Sequence, residues 1–459
     1  METGNKKFDP LQLLDEGVKK AILRGTLLIT FFVAFLDGYD LVNIGFYLQT
    51  ITKLFHGTAL EEGLISSILI GGAAIGAVLF GYLGSKMGPR LMIIIDFILY
   101  GIGAVISAFS INIPMLLAAR FLIGLGFGGD FALSPALIAD LVPKQRRGRY
   151  QALMFYGYPA GAFIAILLSY IISILGVPET VAWRYVLGLA VVPTILVVIL
   201  RQRLSQSPRW LLYTGRLKEF RAQTSKMSGI AENDLENITT SKRSKISDIF
   251  KNYGRQFTVV MMGMLALALG FPVLYVAIAV SRVGIVSFSA VIGFDLLTWA
   301  IALIGVTFVY FTVDSKSKFM GRKFNLSLAI GIEALMNLLI GLLLAPQYAI
   351  LVVVLIGISL FGVYMIESQA LTLQGEVFPS DIKSTAGGFT FGLNRLFYFT
   401  DSTLVSIAFA VNFFGKFLII EAIIQFIALI VFVVLAKETK FKSVEEITQT
   451  KEQIQAGDR

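Results

Sequence analysis

Twelve stretches of this chain are each long and apolar enough to cross a membrane, and that restricts the fold more than any other feature. The hydrocarbon core of a bilayer is about 30 Å thick, so a spanning helix needs roughly 20 mostly apolar residues. Such stretches occupy residues 25–50, 61–84, 91–110, 114–140, 150–176, 182–201, 257–282, 285–312, 324–344, 347–373, 384–410 and 414–436. Only 15% of the 459 residues are charged and 56% are hydrophobic, against roughly 25% charged in a soluble domain. That is too little charge to cover a soluble surface, and too little polarity for disorder, coiled coil or collagen. The expected fold is an all-α membrane protein of twelve transmembrane helices. Residues 1–24 are polar and include Asp9, Asp15 and Glu16, unlike a cleaved signal, so the first span is expected to stay in the mature protein.

The basic residues give an orientation. With twelve spans both termini share one side, and 33 of the 39 Lys and Arg fall in the termini and loops of that side. Twelve of them lie in the central loop alone. The positive-inside rule then places both termini and that loop in the cytoplasm, in a plasma-membrane protein. It also accounts for the net charge of +9 without nucleic acid as a partner. The chain divides into an N-terminal tail (1–24), a six-helix bundle (25–201), a linker with amphipathic helices (202–256), a second six-helix bundle (257–436) and a C-terminal tail (437–459). There is no Cys and a single His, His56, which excludes disulfides, thiolate metal sites and Cys nucleophiles. No metal and no cofactor is expected.

The two halves echo one another. The fourth span ends Asp140-Leu-Val-Pro143, followed by Arg147; the tenth ends Glu376-Val-Phe-Pro379, followed by Lys383, 236 residues on in each case. Duplicated halves are a common transporter plan.

The pattern resembles the major facilitator superfamily over nearly the whole chain. Gly81-Tyr-Leu-Gly-Ser85-Lys86-Met-Gly88-Pro-Arg90 is similar to that superfamily's loop 2–3 signature, with Ser85 where an Asp is usual. The loop 8–9 copy ends Gly321-Arg322-Lys323, with Lys318 at the matching place. Arg120-Phe-Leu-Ile-Gly124-Leu-Gly126-Phe-Gly128, Ser207-Pro208-Arg209-Trp210-Leu211 and Glu376 through Gly388 resemble signatures of the sugar-porter-like branch. Asp37-Gly-Tyr-Asp40 is similar to the paired acids of aromatic-acid and phosphate proton symporters, and Gly128-Gly-Asp130-Phe-Ala-Leu-Ser134 resembles the phosphate-symporter signature of span 4. The resemblance implies two pseudo-symmetric six-helix bundles, and a gate built from Gly81, Gly88, Arg90, Asp140, Arg147, Arg209, Glu376 and Lys383.

A charge at mid-bilayer costs at least about 2.5–3.5 kcal/mol, so each one needs a partner, a watery cavity or a proton. Asp37 and Asp40 share one face of the first span. Double ionisation of so close a pair is disfavoured, so one of them can take up and release a proton. The resemblance places spans 1 and 4 at the cavity, where Arg120 can meet a deprotonated Asp of span 1 and Asp130 can serve as a second proton site. Asp37, Asp40, Arg120 and Asp130 are therefore the candidate proton-coupling residues. Arg395, deep in span 11, offers a fork of donors that suits a carboxylate or phosphate; its alternative is a pair with Asp295, Glu367 or Asp401. Glu367 would face the cavity by family analogy. Among the aromatics, Tyr39, Phe131, Tyr156 and Tyr275 are the chosen candidates for substrate contact, from a wider set that includes Tyr158, Phe271, Trp299 and Tyr364.

These readings converge on a proton-coupled secondary transporter working by alternating access, expected as a monomer in the lipid bilayer. Its cargo is expected to be an organic acid or phosphate; a sugar or polyol carrier, or an uncoupled facilitator, is the alternative. A non-transporting receptor would need a signalling segment, and none is recognisable. An enzyme is not expected, because the chain has no phosphate-binding glycine loop and no nucleophile–base pair.

Overall fold

A computed structural model describes residues 19–201, 205–235, 244–270 and 288–448. The candidates Tyr275 and Phe271, and the side chain of Asp295, lie outside the described residues.

The helices of the first half are α1 (Lys20–Leu54), α2 (Ala59–Met87), α3 (Pro89–Ala108), α4 (Ile113–Leu141), α5 (Arg147–Ile174) and α6 (Glu179–Leu200). Those of the second are α7 (Gly254–Leu269), α8 (Phe288–Thr312), α9 (Arg322–Leu343), α10 (Ala349–Glu376), α11 (Lys383–Ala410) and α12 (Phe414–Leu435). Among the described residues, nine of these are long and apolar enough to cross a membrane. The other three are α7 and α8, which flank 271–287, and α11, which carries Asn394, Arg395 and Asp401.

Local chemistry sets the ends. Thr58 and Glu61 form a reciprocal capping box at the start of α2, with Thr58 N–H donating to Glu61 Oε2 at 2.8 Å. Asn112 caps α4 by accepting from Met115 N–H at 2.9 Å. Gly88 holds φ at +97° between α2 and α3, a conformation that favours glycine, and Pro89 then starts α3. α5 is interrupted at Tyr156 and α6 at Ala190. Pro159 and Pro193 explain both breaks, because each removes the donor for the carbonyl four residues back, at Phe155 and Leu189.

Small residues let the helices close on one another. Gly72 and Gly76 of α2 face Gly124 and Gly128 of α4, and a Cβ at any of the four would strike the opposing backbone. Gly38 of α1 meets α5 in the same way. Across the halves, α2 packs on α11, α4 on α10 and α11, and α5 on α8 and α10. Gly81, Gly388 and Gly392 form the α2–α11 seam. The outer faces present exposed Ile, Leu, Val and Phe, such as Ile75, Ile102, Ile199, Ile304, Phe311 and Ile430, as a lipid-facing surface requires.

The linker helices, Pro208–Tyr213 and Leu217–Ser228, bury Trp210, Leu211, Leu212 and Phe220 in a small core of their own. Trp210 Nε1 donates to Ser85 O at 2.9 Å, tying the linker to the end of α2. Ile246 and Phe250 remain exposed.

Candidate transport site

Three polar assemblies lie along the contact between the halves or beside it. The first is within the first half. Arg120 of α4 reaches Asp40 of α1, Nη1 to Oδ2, at 3.2 Å, and its Nε donates to Ile65 O of α2 at 2.8 Å. Both residues are buried. Arg120 sits toward the end of α4 remote from the basic loops, so this pair braces three helices in the far half of the bundle. Asp130 is buried further along α4, and the Asp96 carboxylate packs against the Cα of Gly129.

The second assembly crosses between the halves at mid-membrane. Asp37 of α1 lies within electrostatic reach of Arg395 of α11 and Glu367 of α10, and all three are buried. Asp37 Oδ2, both carboxylate oxygens of Glu367, and Nε and Nη2 of Arg395 meet no hydrogen-bond partner among the described residues. The Arg395 guanidinium rests over the rings of Phe391 and Phe127, 4.5 and 5.1 Å from their centroids. Beside the acids stand three mutually packed rings, Tyr158, Trp299 and Tyr364, with centroids 5.7–5.9 Å apart. Charges of both signs, held apart beside aromatic faces, are the chemistry that a ligand site requires. The Asp37–Asp40 pair thus divides its work. Asp40 belongs to Arg120, while Asp37 faces the other half.

The third assembly fills the end of the bundle that carries the basic loops. Asp140 accepts from Lys383 Nζ at 2.7 Å, Ser207 Oγ at 2.6 Å and Ser380 Oγ at 2.8 Å. Arg209 donates to Asp140 O at 2.7 Å and to Glu445 at 3.1 Å. Arg322 forks onto Glu376 at 2.9 and 3.2 Å and takes Asp314 at 2.6 Å. Asp314 in turn accepts the backbone N–H of Arg149, from the first half, at 2.8 Å. Arg147 Nη1 donates to Lys442 O at 3.4 Å, and Arg90 N–H donates to Gln206 at 3.2 Å. The basic end is shut.

The candidates sort accordingly. Asp37, Glu367 and Arg395 come together, and so do Asp40 and Arg120. Tyr39 turns its hydroxyl to Val186 O at 2.7 Å and braces α1 on α6. Phe131 is wholly buried and stacks on Phe391, below the ligand site. Tyr156 donates to Thr307 Oγ1 across the halves at 2.7 Å. Sequence reasoning passed over Asp314, which supplies the loop 8–9 acid four residues before Lys318. It also passed over Glu445, Glu438 and Thr439 of the C-terminal segment. Glu438 accepts from the first N–H groups of α9, and Thr439 donates to Glu376 at 2.7 Å. Ser85 keeps the place of the usual Asp with neutral chemistry, accepting from Thr385 N–H at 3.1 Å.

Comparison with known proteins gives the class. Residues 26–450 match the family described as "Sugar (and other) transporter". The chain belongs to that family, within the major facilitator superfamily, and is a membrane transporter rather than an enzyme. Among its relatives, a probable metabolite transport protein of Bacillus subtilis, CsbC, is 29% identical over 90% of this chain and 91% of its own. The arabinose-proton symporter of Bacillus subtilis is 27% identical over the same shares. The fold is also that of the proton:xylose symporter XylE bound to 6-bromo-6-deoxy-D-glucose, with a TM-score of 0.80 at 21% identity over 94% of this chain and 99% of that one. The inward-open form of XylE from E. coli aligns with a TM-score of 0.64 at 20% identity, over 93% and 99%.

Proposed function

We propose that this protein is a proton-coupled symporter that carries a neutral sugar or polyol, with both termini and the shut basic end on the cytoplasmic side of the plasma membrane. The observation that carries this reading is the separation of two buried charge sites. Asp40 and Arg120 form a buried ion pair whose bond depends on the charge of Asp40. Protonating Asp40 removes the counter-charge of Arg120 and loosens the three helices it ties. That is the form proton coupling takes when a proton and a solute must be sensed at different places. The arabinose-proton symporter and the xylose symporter among its relatives support the coupling.

The cargo follows from the field around Arg395. Two carboxylates stand near one guanidinium, so the site carries no surplus positive charge to hold an anion. Hydroxyl groups both donate and accept, and they satisfy separated carboxylates and guanidinium nitrogens together. The rings of Tyr158, Trp299 and Tyr364 suit the apolar face of a sugar ring. One feature favours the anionic cargo, an organic acid or phosphate: Nε and Nη2 of Arg395, without a partner among the described residues, can donate to two oxygens of an oxyanion if the acids are protonated. Uptake into proteoliposomes under an imposed inward proton gradient separates the two. Pentoses, hexoses and inositol are expected to accumulate, and phosphate and carboxylates are not. Accumulation of anions alone would replace the polyol reading.

A further inference from the structure

α4 carries Pro135 in its interior. Proline has no N–H, so the carbonyl four residues back loses its helical donor; here that is Phe131 O. We propose that Gln374 is a positioning residue for the gate, a latch that holds the basic end shut by lending the missing donor from the other half.

Gln374 Nε2, on α10, donates to Phe131 O at 2.9 Å in a buried setting. Phe131 O can only accept, which fixes the direction of the amide, and Gln374 Oε1 then faces Thr390 Oγ1 of α11 at 3.0 Å. Two glycines leave it room. A Cβ on Gly387 would lie 2.8 Å from Gln374 Nε2 and 3.0 Å from Ala132 O, and one on Gly375 would lie 2.5 Å from Pro135 O. The latched peptide belongs to a residue that also joins the halves through its ring. Phe131 stacks on Phe391 at 4.9 Å with 12° between the planes, and Phe391 lies under the Arg395 guanidinium at 4.5 Å. The ligand-site arginine, the cross-half ring stack and the latch therefore form one continuous column. When the halves part at the basic end, Phe131 O loses its donor, and a stranded carbonyl is costly. The latch thus weights the resting equilibrium toward the shut state, and a solute that moves Arg395 acts on the stack that keeps the latch aligned.

The test uses the absence of native Cys. Ser384 is buried at the α2–α11 seam, beside Gly81 and Gly84. A single Ser384→Cys reports opening of the basic end by its rate of reaction with a polar maleimide in purified protein. Gln374→Leu is expected to raise that rate about five- to tenfold, the scale of one lost buried hydrogen bond. Pro135→Ala restores the N–H that serves Phe131 O within the helix. In that background Gln374→Leu is expected to change the rate less than twofold. Gln374→Met gives the same comparison if the Leu variant does not fold. An unchanged rate for Gln374→Leu in the chain that keeps Pro135, or the same fold-change with and without Pro135→Ala, would overturn the latch; a merely structural role for Gln374 predicts the latter.

Discussion

Arg322 at the basic end and Arg395 at mid-membrane are both buried arginines between carboxylates, and they are used in opposite ways. Arg322 gives its donors to Glu376, Asp314 and Val313 O, at 2.6 to 3.2 Å. Arg395 leaves Nε and Nη2 without a partner among the described residues, and so do the carboxylates of Glu367. Buried polar groups are satisfied as a rule, so one left open at a site of mixed charge calls for a partner from outside the chain, such as a ligand, water or ion. At the basic end the donors of Arg322 are met within the chain, whereas at mid-membrane we propose that cargo completes Arg395 and Glu367. Stability should therefore reside at one and affinity at the other, and variants can separate the two.

The largest effect is expected at the gate. Lys383→Met removes the cation facing Asp140 while leaving its bulk, and breaking a buried pair costs about 3–5 kcal/mol. Thermal unfolding of the purified variant should show a loss of that order in the shut state, with ligand affinity changed little. An unaffected melting curve would mean that the pair contributes nothing to closure. Next come Arg395→Lys and Glu367→Gln. Nε and Nη2 of Arg395 and both oxygens of Glu367 hold no hydrogen bond among the described residues, so melting without ligand should move little, whereas ligand affinity should fall by about 1.5–3 kcal/mol, the scale of a hydrogen bond to a charged group. A large drop in stability with intact affinity would turn the cavity into scaffold and erase the contrast.

The smallest effect is expected at the C-terminal clasp. Burial pushes the Glu445 carboxyl up, but Arg209 and hydrogen bonding more than offset it, and the group sits below its ordinary value of 4.5. A depressed carboxylate stabilises the folded state above its unfolded pKa, and that contribution is lost as pH falls through the lower, folded value. The tail should hold at neutral pH and loosen only in acid below about 4.5. Limited proteolysis after residue 436 measures this, and Glu445→Gln should remove the pH dependence. Release of the tail on raising the pH would have the wrong sign.

How much of this the sequence disclosed depends on the distance over which each signal acts. The transmembrane runs and the duplicated Asp140 and Glu376 motifs are local strings; nine of the runs are spanning helices among the described residues, and both motifs lie at the basic end. The Asp40–Arg120 contact was legible because each lone charge in an apolar helix demands a partner. Tyr39 misled, since it is two residues from Asp37 and so about 200° round the helix, facing α6 and not the cavity. Asp314 was hidden because it lies four residues out of register with the motif. Gln374 was invisible from the string, because its partner is a backbone carbonyl 243 positions away that carries no side-chain signature. The linker's apolar residues were legible but their partner was not: an amphipathic face has the same sequence pattern whether it meets lipid or, as with Leu211 and Phe220, its own neighbours.

If proton and cargo are sensed at separate charge sites, as we propose, Asp40→Asn uncouples them. An amide at residue 40 keeps the shape of the acid but cannot cycle its charge. In proteoliposomes with an inward proton gradient, the account predicts that Asp40→Asn abolishes uphill accumulation of the transported polyol, while exchange of labelled for unlabelled polyol across the same membrane continues. Accumulation by Asp40→Asn at the wild-type level, or loss of exchange together with accumulation in a properly folded variant, would contradict it.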